Sequence, residues 1–183
     1  MAEMSNDDNV AKGPARVLIV DDHPVVRDGL TAELATEPDL EVCGEAEDVA
    51  GALEQIRSAR PDVAIIDISL KNGNGVDLIK RLRARNDPVR ILVWSMYPED
   101  LYAERALRAG AQGYVHKGRA TREILDALRA VLAGKASKGR DGVVYLHHLN
   151  AHVEDRAKAL SGGEQEPTSS IPASLSTVPL SKP

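Results

Sequence analysis

The chain has one cysteine, Cys43, in 183 residues. No disulfide can therefore form within it, and a reducing compartment suits it. It has no basic block: the net charge is -5, which leaves no electrostatic footprint for a nucleic acid. No apolar run approaches the roughly 18 residues needed to cross a bilayer, so no membrane contact is expected. The opening MAEMSNDDNVAKGPA lacks an apolar core and is not read as a signal peptide. Together these absences describe a protein expected in the cytoplasm.

Hydrophobic residues make up 43% and charged residues 28%, the balance of a globular protein, and the length suits one domain with tails. Residues 1–15 are polar, end in Gly13-Pro14 and are expected to be a disordered lead-in. From 16 to 134, short apolar runs alternate with stretches of helical spacing. The runs are 17–20, 40–46, 63–67, 91–95 and 113–117, several of them almost uninterrupted, as strands buried on both faces should be. The intervening segments 24–37, 48–59, 75–85, 99–109 and 121–133 carry apolar residues at helical spacing, such as Ile124, Leu125, Leu128, Val131 and Leu132. Pro38, Pro61, Pro88 and Pro98 punctuate the joins. Five such units predict an α/β domain, a flavodoxin-like doubly wound (βα)5 fold. Its five-stranded parallel sheet would have the order 2-1-3-4-5, with the ligand edge at the carboxyl ends of strands 1 and 3. Residues 135–160 read as a linker, with Leu146, Leu149, Val153 and Leu160 near one helical face. Residues 161–183, with six serines and four prolines, read as a disordered tail.

The first strand runs into Asp21-Asp22 and the third ends at Asp67, so three carboxylates should meet at one sheet edge. At about 4 Å and an effective dielectric near 20, each like-charged pair costs roughly 4 kcal/mol. Such a cluster calls for a shared proton or a cation, and hard oxygen ligands in a partly hydrated site suit Mg2+. Lys117 would bring an ammonium to the same edge from the fifth strand, and Ser95 a hydroxyl from the fourth. Acids, ammonium, hydroxyl and divalent cation together form a site for a phosphoryl group. With no base placed to activate a water, a carboxylate is the best nucleophile, giving an acyl phosphate. Taken singly, each residue has a plainer reading: an aspartate capping the first helix, a turn aspartate, a solvated lysine. Their convergence on one edge is what favours the site.

The segments VLIVDDHPVVRDGL, DVAIIDISLKNGNGVDLIKRLR, ILVWSMYPED and ALRAGAQGYVHKG resemble the receiver domain of two-component response regulators, in the NarL/FixJ-like subgroup. The resemblance covers 16–134. It implies that Asp67 is the phosphoacceptor, that Asp21 and Asp22 hold Mg2+ with Asp67 and the backbone carbonyl of Ser69, and that Lys117 contacts the phosphoryl oxygens. It further implies that Ser95 and Tyr114 are the switch pair, Ser95 bonding the phosphoryl group while Tyr114 moves inward. The implied donor is a sensor histidine kinase, and the implied consequence is a changed protein–protein surface, with a homodimer on phosphorylation. The chain would then be a signalling domain that catalyses only its own phosphorylation and dephosphorylation, tuned by Ser69 and Tyr97. Full-length relatives of the subgroup control transcription through a helix-turn-helix. No such recognition helix lies in this sequence, so DNA binding is not carried over. A phosphorylation-independent adaptor and an aspartate-nucleophile phosphatase are the competing readings; the latter expects Asp-x-Asp after the first strand, where Asp-Asp-His stands.

Three signals are discounted. LSGGEQE (160–166) matches the signature stretch of ATP-binding cassette proteins, but no P-loop precedes it. His147, His148 and His152 have no second ligand pair beside them. Trp94 reads as packing, with a surface place open to it through strand alternation.

Overall fold

The computed structural model describes residues 13–134 and 144–145. Residues 1–12 of the expected lead-in, most of the linker, its three histidines and the Ser/Pro tail lie outside the described residues, while Ala15, at the end of that lead-in, already belongs to the first strand. In chain order the elements are β1 (Ala15–Val20), α1 (Pro24–Leu34), β2 (Leu40–Ala46), α2 (Val49–Ala59), β3 (Val63–Ile66), β4 (Ser69–Leu70), β5 (Gly73–Asn74), α3 (Gly75–Ala84), β6 (Arg90–Ser95), α4 (Glu99–Ala109), β7 (Gly113–His116), α5 (Thr121–Leu132) and β8 (Val144–Tyr145).

The sheet order is β2-β1-β3-β6-β7-β8. Its first five strands are parallel, which is the predicted 2-1-3-4-5 arrangement. Two features were not foreseen. β8 adds a short antiparallel strand against β7, within the stretch where a linker helix had been expected. The loop after β3 also folds on itself as the β4–β5 hairpin.

The sheet is buried on both faces, which explains the uninterrupted apolar runs. Alternation along each strand divides the side chains. Leu18, Val20, Ile66, Val93 and Tyr114 pack with Ile56 of α2, Ile79 and Leu82 of α3 and Leu107 of α4. Val17, Ile19, Ile65, Leu92 and Val115 pack with Leu30 and Leu34 of α1 and Ile124 and Leu128 of α5. Helix α1 stops at Leu34, three residues short of its expected end, because Thr36 and Glu37 turn back onto Glu33 and Leu34 and Pro38 disfavours helix at the residue before it. Asp48 and Asn74 cap α2 and α3 by accepting the N–H groups of Gly51 and Val76, each at 2.8 Å. Among the described residues, no helix is long and apolar enough to cross a membrane.

Candidate functional site

The site lies at the ends of the strands, Ser95 as the last residue of β6 and Asp21, Asp67 and Lys117 one residue past β1, β3 and β7, and backbone bonds continue the ladder to fix them there. Asp21 N–H donates to the Ala46 carbonyl at 3.0 Å, Asp67 N–H to Val20 at 2.8 Å and Lys117 N–H to Ser95 at 2.8 Å. Asp21, Asp67 and Ser95 are nearly inaccessible, at 1%, 4% and 1%. A buried carboxylate persists only with partners, and these are specific. Lys117 Nζ donates to Asp21 Oδ2 and to Asp67 Oδ2, both at 2.5 Å. Ser95 Oγ donates to Asp67 Oδ1 at 2.6 Å. The Ser69 N–H reaches the same oxygen at 3.3 Å.

Asp22 is more exposed and meets the ring of His23, Nδ1 to Oδ1 at 2.8 Å. The N-cap of α1 is His23, and it makes no side-chain cap, so neither aspartate serves as the helix cap that the plain reading offered. Asp21 Oδ1 accepts the His23 N–H at 2.9 Å, while Arg27 donates to the Asp21 carbonyl at 2.6 Å. The carboxylates of Asp21, Asp22 and Asp67 and a ring nitrogen of His23 bring one donor atom each within 4.8 Å of one another. Three acids facing one ammonium leave a formal surplus of two negative charges. That hard, oxygen-rich set fits a divalent cation.

Tyr114 is fully buried, and its hydroxyl donates to the Tyr97 carbonyl at 2.7 Å. Burial, reinforced by nearby Glu99, pushes its phenol well above the usual value, so it acts as a hydrogen-bond donor. Its ring lies inside the fold behind Ser95, with the hydroxyl turned to the loop between β6 and α4. The loop between β6 and α4 is held a second time by His116, whose Nε2 lies 2.9 Å from the Met96 carbonyl. A carbonyl only accepts, so Nε2 carries the proton, and Nδ1 takes the Gly118 N–H at 3.0 Å.

The residues proposed from the sequence for the phosphoryl and metal site fall at this edge, with Tyr114 directly behind it. Sequence reasoning passed over two others. His23 joins the acidic cluster, a neighbourhood that its adjacency to Asp21-Asp22 made available. Trp94, expected to pack or to lie at a surface, has its ring centroid 5.4 Å from Lys117 Nζ. A cavity of about 720 Å3 opens over Asp67, Ser95 and Lys117 and is walled by Val25, Trp94 and Met96.

Comparison with known proteins agrees with this architecture. The family model for the response regulator receiver domain matches residues 17–129. This chain belongs to that family. The DNA-binding transcriptional activator DevR/DosR of Mycobacterium tuberculosis is 42% identical over 121 residues, covering 66% of this chain and 56% of the relative. The chain thus spans little more than half the length of that relative. Among solved structures, a LuxR-family two-component response regulator from Aurantimonas sp. SI85-9A1 is 30% identical. It has a TM-score of 0.67 and covers 79% of this chain and 99% of its own. The isolated receiver domain of RcsB from Salmonella enterica serovar Typhimurium, solved with the phosphomimetic BeF3-, is 28% identical. Its TM-score is 0.63, with coverage of 69% and 94%.

Proposed function

We propose that the chain is a phosphorylation-controlled switch in which Asp67 accepts a phosphoryl group from a sensor histidine kinase. The observation that carries this reading is the pairing of Asp67's two oxygens. Ser95 holds one at 2.6 Å and Lys117 the other at 2.5 Å, at the floor of an open cavity. A carboxylate oxygen of Asp67 attacks phosphorus, the O–P bond forms, and the P–N bond to the donor imidazole breaks. The bonding pair stays on that nitrogen, which is protonated by solvent. Lys117 then follows the charge outward to the phosphoryl oxygens, and the Ser95 hydroxyl turns from Asp67 to the same group. Asp21, Asp22, Asp67 and the backbone carbonyl of Ser69 would hold Mg2+, which when bound supplies the positive charge that offsets carboxylate repulsion.

The local change leaves the site through the β6–α4 loop. The Tyr97 N–H lies 3.5 Å from Ser95 Oγ, and the Tyr97 carbonyl is held by Tyr114. Motion of Ser95 is thereby felt on the face built by α4, β7 and α5, where a second copy docks. Ser69 and Tyr97 flank the acceptor and tune the phosphoryl lifetime. The setting is the cytoplasm, and the output of the whole protein is control of transcription, as in longer relatives.

The test is acetyl phosphate with Mg2+ on the full chain. A hydroxylamine-labile phosphoryl adduct should form and be absent in Asp67→Asn. An adduct that persists in that variant sinks the assignment. Modification of Asp67 with no change in self-association or partner binding would instead favour the phosphorylation-independent adaptor.

A further inference from the structure

We propose that Trp94 is a positioning residue for Lys117, holding its ammonium over the end of β6 through the face of the indole ring. The inference rests on the phosphoacceptor reading above and deepens it. Lys117 follows β7, whereas its two carboxylate partners follow β3 and β1, and the sheet order is β1-β3-β6-β7. Strands lie about 4.8 Å apart, so the lysine stem must cross the end of β6 to reach Asp67. Trp94 stands at that crossing. It pairs in register with Val115 of β7, while Ser95 pairs with His116, and it packs on the α1–α5 side of the sheet. Its ring centroid is 5.4 Å from Nζ, inside the range of a cation–π contact. The Lys117 side chain is only 6% exposed, so solvent competes little for the ammonium.

The chemistry gives this contact a use that the carboxylates cannot fill. Before transfer, Asp21 and Asp67 hold the ammonium. Once Asp67 becomes an acyl phosphate, its negative charge moves outward onto the phosphoryl oxygens, and the ammonium must move with it. A contact to the ring quadrupole does not depend on which anion the ammonium faces, so it keeps Nζ over β6 while the anion changes.

Trp94 is the only tryptophan of the chain, so incorporating fluorinated tryptophans alters this ring alone. Phosphorylation of the full chain by acetyl phosphate at saturating Mg2+ is the readout, with melting temperature measured alongside. Trp94→Leu should slow phosphorylation roughly three- to tenfold, with Trp94→Phe recovering most of the rate. Successive fluorination, which drains the ring of π density at nearly constant shape, should slow it stepwise while the melting temperature holds. A rate unchanged by fluorination overturns the proposal, as does a folded Trp94→Leu that reacts as fast as the native chain. If the native chain forms no adduct at Asp67, the phosphoacceptor reading itself has failed, a result distinct from either.

Discussion

Gly75 opens α3 against the backbone of Asp67, and a Cβ placed there would lie 2.1 Å from the Asp67 carbonyl oxygen and 2.9 Å from its carbonyl carbon. Neither is the movable end of a side chain. The position therefore demands glycine for space, in contrast to Gly110, whose φ of 111° demands it for conformation. Gly75→Ala should destabilise the fold by about 1–3 kcal/mol, the usual cost of overpacking. It should also slow acetyl phosphate labelling, because the backbone that must yield is that of Asp67, the proposed acceptor. Denaturant unfolding and labelling rates on the same variant check both parts, and a stable variant with native labelling would show that the cradle is not needed. Gly75 was visible in the sequence as a glycine at a helix start, but the approach of that helix to Asp67 depends on a packing distance that no local pattern encodes.

At the scale of elements, two arginines tie the fold together, and neither was singled out from sequence. Arg83 of α3 donates to the carbonyls of Gly110, Asp87 and Val89 at 2.8–3.0 Å. It thereby joins the end of α3 to the start of β6 and the end of α4. Its acceptors are neutral and scattered in sequence, so nothing in the helical pattern of 75–84 marks it as more than a solvated residue. Arg83→Ala should cost about 2–3 kcal/mol in urea unfolding, since part-buried carbonyls lose their donor. Arg83→Lys should recover little, because an ammonium cannot reproduce the fork. Arg129 of α5 acts at the surface, holding Asp39 at 2.9 and 2.7 Å and also Glu37. Its hydrogen bonds keep the Asp39 carboxyl below its usual value of 3.8. The folded chain therefore binds that proton less readily than the unfolded chain. The pair's contribution is complete above the ordinary carboxylate value and is lost as pH falls through the depressed one. Asp39 is half exposed, so Asp39→Asn should cost less than about 1 kcal/mol at neutral pH. That difference should vanish on acidification and shrink in high salt. A deficit that persists in acid would assign the effect to something other than the ion pair.

Over the whole molecule, the architecture was legible because a parallel sheet covered on both faces leaves a coarse signature: apolar runs separated by helical spacing, with prolines at the joins. The same logic located the site, since one rule about strand ends collects Asp21, Asp67, Ser95 and Lys117 from four separate motifs. What stayed hidden depends on side-chain geometry or on backbone pairing between distant segments: the ring of Trp94 beside Lys117 and the β8 strand against β7. Tyr114 is fully buried and bonded to Tyr97 while Ser95 is bonded to Asp67. Ser95 and Tyr114 thus hold the two ends of one path, from Asp67 to the Tyr97 carbonyl, along which the proposed phosphorylation would shift a population. If Ser95 carries that shift, Ser95→Ala should still accept a phosphoryl group on Asp67 but should not pass the change on. In hydrogen exchange, beryllofluoride with Mg2+ should slow the amides of 96–102 and of β7 in the native chain and leave them unchanged in Ser95→Ala. Tyr114→Phe should lose only the bond to the Tyr97 carbonyl, about 1 kcal/mol, and give an intermediate response, because its ring still fills the same space. Equal protection in all three proteins would mean that the loop between β6 and α4 answers to the phosphoryl group by some route other than the Ser95 hydroxyl.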